Sequence, residues 1–448
     1  MDNRTAIQKR SQMDMFWDFC CFITVLCSLG FPGNLERLFP GGMNLVFQYG
    51  PFMLQIVLML LSSGEDVMDI KLFEFKRCYL PIYTMLVVWF AVSMSITRYP
   101  KEQVIACTRF TVTALFAIWM VEKYTVEHIL EICYYACLAM LFFTLVGLVL
   151  LPGPSFSREN GEKTFCGLYT TKNPCASELA IGLMIGTMLH GAYKGRRRRF
   201  PRFFILYMAV HMALLLLCKA TGALFCALIP ISYLLFLRRH HNPRLRLHLG
   251  VVYITASVGF LVFALTIIPL FAPLFEALGK DVTLTGRTPM WEQLITVMTE
   301  HNSFTGFGFT MFWKDPLAVK LFHNGFRRGS WGATMTYGAH NALLEIWLDV
   351  GLIGVAAYFG MLMLSFQRPE QLTEIQYEFC SSYILWQTLK GFTERSYIPF
   401  NYQTLFLFLC AGISCSRYGA QKPSRLRRYQ PVSPPPKERA AGNLTEGA

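Results

Sequence analysis

Three stretches of this chain place groups able to do phosphate and proton chemistry beside glycines and helix-entry signals. The first is Thr285-Gly286-Arg287-Thr288-Pro289-Met290-Trp291. Its arginine stays charged at working pH, and its planar fork matches phosphate oxygens bidentately. The second is Gly338-Ala339-His340-Asn341. It delivers an imidazole, which can take up a proton near neutral pH, to the N-terminal end of an apolar run, a place that also favours anions. The third, Thr393-Glu394-Arg395, sets a carboxylate beside a guanidinium. Lys172, Lys219, Arg327 and Arg328 are further cationic candidates. Together these groups suit a reaction in which a phosphate-type leaving group gathers negative charge while a weakly nucleophilic hydroxyl gives up its proton. Each also has a plainer reading. Arg287 could bridge to Asp281 or Glu292, Lys172 and Lys219 could snorkel to headgroups, and Arg327 and Arg328 could form a solvated basic surface. His340 could simply orient a helix. Glu345 and Asp349, four residues apart on one helix face, could support the site or hold a bundle.

The elements that must position these residues are membrane helices. The chain has 448 residues, 54% hydrophobic and 15% charged, against about 25% charged in an ordinary soluble domain. Apolar runs long enough to cross a bilayer, for which about 20 helical residues are needed, recur along it. They lie at 16–30, 45–62, 80–96, 104–120, 129–151, 176–191, 203–218, 222–237, 251–273, 341–364, 379–391 and 400–413. These are about twelve spans, and 379–391 is the weakest. The runs are continuous rather than alternating, which argues against a β-barrel. Residues 1–274 would hold nine helices, 275–339 a long loop with helical stretches, 340–416 three more helices, and 417–448 a Pro-, Lys- and Arg-rich disordered tail.

Basic residues set the orientation. Arg4, Lys9 and Arg10 precede the first span. Lys71, Lys76 and Arg77 follow the second, Arg196–Arg199 the sixth, Arg238 and Arg239 the eighth, and Arg425, Arg427 and Arg428 the last. Every second loop is thus basic, which predicts both termini in the cytoplasm and explains the net charge of +13 without nucleic acid. The first apolar segment reads as an anchor rather than a cleaved signal. The 14 cysteines mostly sit in spans. Cys166 and Cys175 share an outer loop, where a disulfide is chemically possible. No Cys/His metal pattern is present.

The order of these motifs carries a resemblance. TGR-x-x-x-W at Thr285–Trp291, G-x-G-F at Gly306–Phe309 and HN-x9-GLIG at His340–Gly354, split by a large outer loop, resemble the O-antigen ligase and polymerase superfamily. Lys172-Asn173 before the sixth span and Thr393-Glu394 late in the chain match two further elements of that family. Where the family often has Ser-Arg or Ser-Lys near the outer end of the seventh span, this chain has Cys218-Lys219. The resemblance implies an all-α, polytopic, GT-C-like inner-membrane protein with one large, partly helical periplasmic loop. It implies a donor glycan on undecaprenyl diphosphate, and an acceptor that is a lipid-linked glycan or lipid A-core. It assigns catalysis to His340 and Arg287. The diphosphate would be held by Arg287, Lys219, Lys172, Arg327, Arg328 and Arg395, with Asn173, Asn341, Glu345 and Glu394 in support. No cofactor and no metal are expected, because a diphosphate is already an activated leaving group. A flippase and a chain-length regulator are the expected protein partners. Polymerase is the preferred activity, with ligase and protein O-glycosyltransferase as alternatives. A transporter would need paired halves with internal symmetry and broken helices, and no internal repeat is visible.

Overall fold

The computed structural model describes residues 3–31, 44–62, 76–159, 162–193, 204–239, 287–326, 338–366, 372–392 and 400–416, with isolated positions 245, 251, 252, 255, 259 and 394. Arg327, Arg328, Arg395, Asp281 and nearly all of the predicted ninth span lie outside the described residues. The elements in chain order are α1 (Asn3–Ser28), α2 (Asn44–Ser62), α3 (Leu80–Ile96), α4 (Pro100–Lys123), α5 (Val126–Leu150), β1 (Phe156–Glu159), β2 (Glu162–Phe165), α6 (Lys172–Tyr193), α7 (Phe204–Leu217), α8 (Thr221–Leu237), α9 (Arg287–Val297), α10 (Pro316–Asn324), α11 (Ala342–Phe366), α12 (Glu374–Gly391) and α13 (Tyr402–Cys415). Among the described residues the protein is an all-α membrane protein apart from one antiparallel hairpin, β1–β2, in which Phe156 pairs with Phe165. Among the described residues, five helices are long and apolar enough to cross a membrane, and four shorter apolar ones accompany them.

Local signals start the helices as expected. Pro100 and Pro316 open α4 and α10, where a missing N–H costs nothing. Asp315 accepts from Leu317 N at 2.8 Å and Asn401 from Thr404 N at 2.9 Å. Thr373 and Gln376 form a reciprocal capping box at α12.

Packing divides the helices into inner and outer ones. From Cys175 to Leu189, α6 is buried throughout, and α12 and α13 are buried along most of their length. By contrast, α3 and α7 present Val87, Phe90, Ile205 and Leu206 outward, as lipid-facing helices do. The inner position of α12 explains why its sequence reads as the weakest span. Protein rather than lipid surrounds it, so it tolerates Gln376, Glu378, Ser381, Ser382, Gln387 and Lys390.

One predicted span is broken. Gly351 sits at φ 67°, ψ −165°, a conformation that essentially only glycine adopts, and it interrupts α11. The backbone of residues 303–308 docks into the break. Leu352 N donates to Ser303 O (2.9 Å) and Ile353 N to Phe304 O (3.3 Å), while Phe307 N donates to Leu348 O (2.8 Å) and Gly308 N to Asp349 O (2.9 Å). A Cβ on Gly306 would fall 2.7 Å from backbone atoms of Leu348, Asp349 and Gly351, and one on Gly351 would overlap the Phe304 carbonyl. The G-x-G-F and GLIG motifs are therefore two halves of one backbone-to-backbone dock. Irregular backbone at membrane depth is tolerated because protein satisfies it. Phe309, next in the motif, inserts between Trp89 (5.4 Å), Phe110 (5.1 Å) and the core behind them, which ties the loop to α3 and α4.

The disulfide that Cys166 and Cys175 could make is not formed. Cys166 and Cys175 are both buried free thiols. Cys175, in the first turn of α6, faces Cys218 instead, with sulfurs 4.0 Å apart. The hairpin and the helix turn fix where each side chain points, which sequence proximity alone does not.

Candidate active site

Glu394, just past the end of α12, is where the motif residues meet. Asn173 in the first turn of α6 donates its amide to Oε1 at 2.8 Å. Arg287, the first residue of α9, lies 3.5 Å from the same oxygen. His340 places Nδ1 3.3 Å from Oε2. Four motifs separated by up to 221 residues thus converge on one carboxylate. Burial alone would push the Glu394 carboxyl up. The hydrogen bond and charge of His340, with the charges of Arg287 and Lys390, outweigh burial and hold it below its ordinary value. Arg287, His340 and Glu394 all keep some exposure, so the cluster is open to a ligand.

A rigid clamp sets His340. Its own φ is 49°, an uncommon conformation for a residue with a side chain. The preceding residue, Ala339, is gripped from both sides. Its carbonyl accepts from Trp291 Nε1 at 2.7 Å, and its N–H donates to the Glu345 carboxylate. Glu345, fully buried, also accepts from Trp313 Nε1 at 3.3 Å. On the other side, Asn341 Oδ1 caps α11 through Leu343 N (3.0 Å) and Leu344 N (3.1 Å). The tryptophan of TGR-x-x-x-W, one turn after Arg287, therefore ties the α9 arginine to the His340 turn. Asn341 caps α11, and Glu345 clamps the turn that carries His340.

Lys172 opens α6 beside Asn173, partly exposed. Lys219 is exposed at φ 51° in the turn between α7 and α8, at the same end of the bundle. Asp349 is buried behind the glycine dock. Arg287 pairs with Glu394 rather than with Glu292.

Sequence reasoning missed several residues. Lys390, on the last turn of α12, is buried and donates to Tyr402 Oη at 3.1 Å. Glu178 and His211 are buried within α6 and α7. Each is an ionisable residue inside an apolar span, which is a signal in its own right. Trp313 carried no signal, because its partner Glu345 is 32 residues away.

A largely helical membrane bundle whose inner helices and loop helices converge on a partly exposed Arg–His–Glu cluster defines a class of polytopic membrane protein with an ionisable cluster at one end. Residues 203–359 match the family model described as O-antigen ligase, which supports the likeness to the O-antigen ligase and polymerase superfamily. The match holds Lys219, Arg287, the glycine dock, His340 and Glu345. Asn173 and Glu394 lie outside it and join the site only in three dimensions. No curated protein matches the chain.

Proposed function

We propose that the protein is a metal-independent membrane glycosyltransferase. It joins oligosaccharide repeat units carried on a polyprenyl diphosphate, at the periplasmic face of the inner membrane, with both termini cytoplasmic. The observation that carries this reading is the convergence of Asn173, Arg287 and His340 on Glu394, directly beside an apolar groove. That groove, about 380 Å³, is lined by Ala342 and Leu343 just after His340 and by Thr388, Gly391 and Phe392 just before Glu394. Its walls suit a polyprenyl tail, leaving the diphosphate at the cluster.

In this mechanism the acceptor hydroxyl attacks the anomeric carbon while the bond from that carbon to the diphosphate breaks. Arg287 turns from Glu394 to the diphosphate oxygens, where negative charge grows. Lys172 and Lys219 stand at the same end as further phosphate contacts. If His340 gives its Nδ1–H to Glu394, Nε2 is left to take the hydroxyl proton, the orienting logic of a base held by a carboxylate.

A deletion strain complemented with wild type, Arg287→Ala or His340→Ala tests this, with membrane levels confirmed. Unextended single repeat units on the lipid carrier support the polymerase. Long lipid-linked chains left untransferred would make the protein a ligase to lipid A-core. Normal surface glycan from both variants would sink the reading.

A further inference from the structure

Beneath the cluster lies a cation that the mechanism above does not use. Lys390 is 6% exposed, near the end of a helix enclosed by protein. Its ammonium donates to Tyr402 Oη at 3.1 Å and lies over the rings of Trp386 (5.0 Å) and Tyr402 (5.4 Å). The Glu394 backbone N–H donates to the Lys390 carbonyl at 2.9 Å, so one more helical turn carries Glu394 onto the face that Lys390 occupies. A buried ammonium is costly unless an opposite charge accompanies it.

Among the described residues, the groups around this pair come from several elements. Asn173 of α6, Arg287 of α9 and His340 at the entrance to α11 contact Glu394, and Lys390 of α12 attracts it electrostatically. Lys390 donates to Tyr402 of α13, with Cys226 of α8 and, beyond Tyr402, Glu178 of α6 within electrostatic reach. Two fixed cations, Arg287 and Lys390, thus attend one carboxylate. If Arg287 leaves for a diphosphate, Asn173 and His340 still touch the carboxylate, and among the described residues Lys390 is the fixed cation that stays near it.

We propose that Lys390 is a positioning residue: a buried counter-ion that keeps Glu394 charged once Arg287 has turned to the donor's diphosphate, so that Glu394 still holds His340. Tyr402 holds Lys390 in place. This inference rests on the glycosyltransferase reading. It explains why a lysine stands in an inner helix where a leucine would be cheaper to bury.

The test uses membranes carrying the full-length protein and the strain's own lipid-linked glycan pool, with transfer followed from about pH 3.5 to pH 8. The wild type is compared with Lys390→Met, Lys390→Arg and Tyr402→Phe. Without Lys390, the acid limb of the profile should move up by about one pH unit, so the variant loses about tenfold at the acid end. Lys390→Arg should restore the wild-type limb, and Tyr402→Phe should shift it the same way by less. A Lys390→Met profile that overlays the wild type overturns the proposal. So does a fall equal at every pH that arginine does not rescue, since that marks a purely structural role. If Lys390→Met fails to accumulate, an unshifted limb in Tyr402→Phe overturns it. Arg287→Ala and His340→Ala run alongside. Full transfer in those two would remove the underlying reading, whereas their loss beside a wild-type Lys390→Met profile removes only the role of Lys390.

Discussion

Helix α12 ends in an arginine–glutamate pair on each side, and the two pairs are built differently. At its start, Glu378 meets Arg238 from the end of α8 at 2.9 Å, with further contacts at 3.2 and 3.3 Å. Arg238 also donates to the carbonyls of Thr187 (3.0 Å) and Met188 (3.4 Å) on α6. That pair is short and multiply bonded, and although Arg238 is 19% exposed, Glu378 is only 4% exposed. Past the other end, Glu394 meets Arg287 at 3.5 Å while sharing its oxygens with Asn173 and His340, and both partners are about one-fifth exposed. A saturated pair holds three helices together. A long, shared, accessible one can exchange a partner for a ligand. The contrast separates a buried, saturated ion pair from a shared, accessible one, the kind the proposed transfer would need, although both join an Arg and a Glu across elements.

The comparison can be broken most decisively at the Glu394 end. Glu394→Gln, like Arg287→Ala, should reduce transfer by at least about a hundredfold, the scale of losing one charge-stabilising group, a loss of activity far larger than its fall in melting temperature explains. Glycan transfer per molecule and thermal unfolding in detergent would show both. Glu378→Gln should do the reverse. Leaving Arg238 without its charge partner should cost about 3 kcal/mol of stability, while surviving molecules keep their activity. Equal behaviour of the two glutamine variants would erase the distinction. Gly351→Ala should lower stability by about 2 kcal/mol through backbone strain, with further loss as residues 303–308 are pushed from the dock. Membrane accumulation and melting temperature are the readouts. The smallest effect is in pH. Because the Glu394 carboxyl is held below its unfolded value, its pairing contributes stability that is fully present above about pH 4.3 and lost as pH falls through the folded value. The stability gap between wild type and Glu394→Gln should therefore stay level from pH 8 to pH 5 and shrink only in stronger acid.

Much of this was legible along the chain. Long apolar runs announce membrane helices because lipid demands a local, continuous pattern. Proline and Asx caps mark helix starts because they act within one turn. Arg287 and His340 stood out because glycines and a helix entrance flank them. Other features were not legible. The break at Gly351 looks like an ordinary glycine in an apolar helix until residues 303–308 are seen docked in it. Helix α12 reads as a poor span because hydropathy assumes a lipid neighbour, and its neighbours are α8 and α13. Cys175 faces Cys218 rather than Cys166 because helix α6 turns its side chain inward.

The sequence by itself thus determined the membrane class, the helix starts and the chemical vocabulary of the site, all of which depend on residues within a turn or a span of each other. Tertiary structure alone decided the partners. It made Glu394 the meeting point of Asn173, Arg287 and His340, had Trp291 and Glu345 grip Ala339 from two sides, and put Lys390 beneath the cluster. Partner choice depends on which helix faces pack together across hundreds of residues, and no local period encodes that.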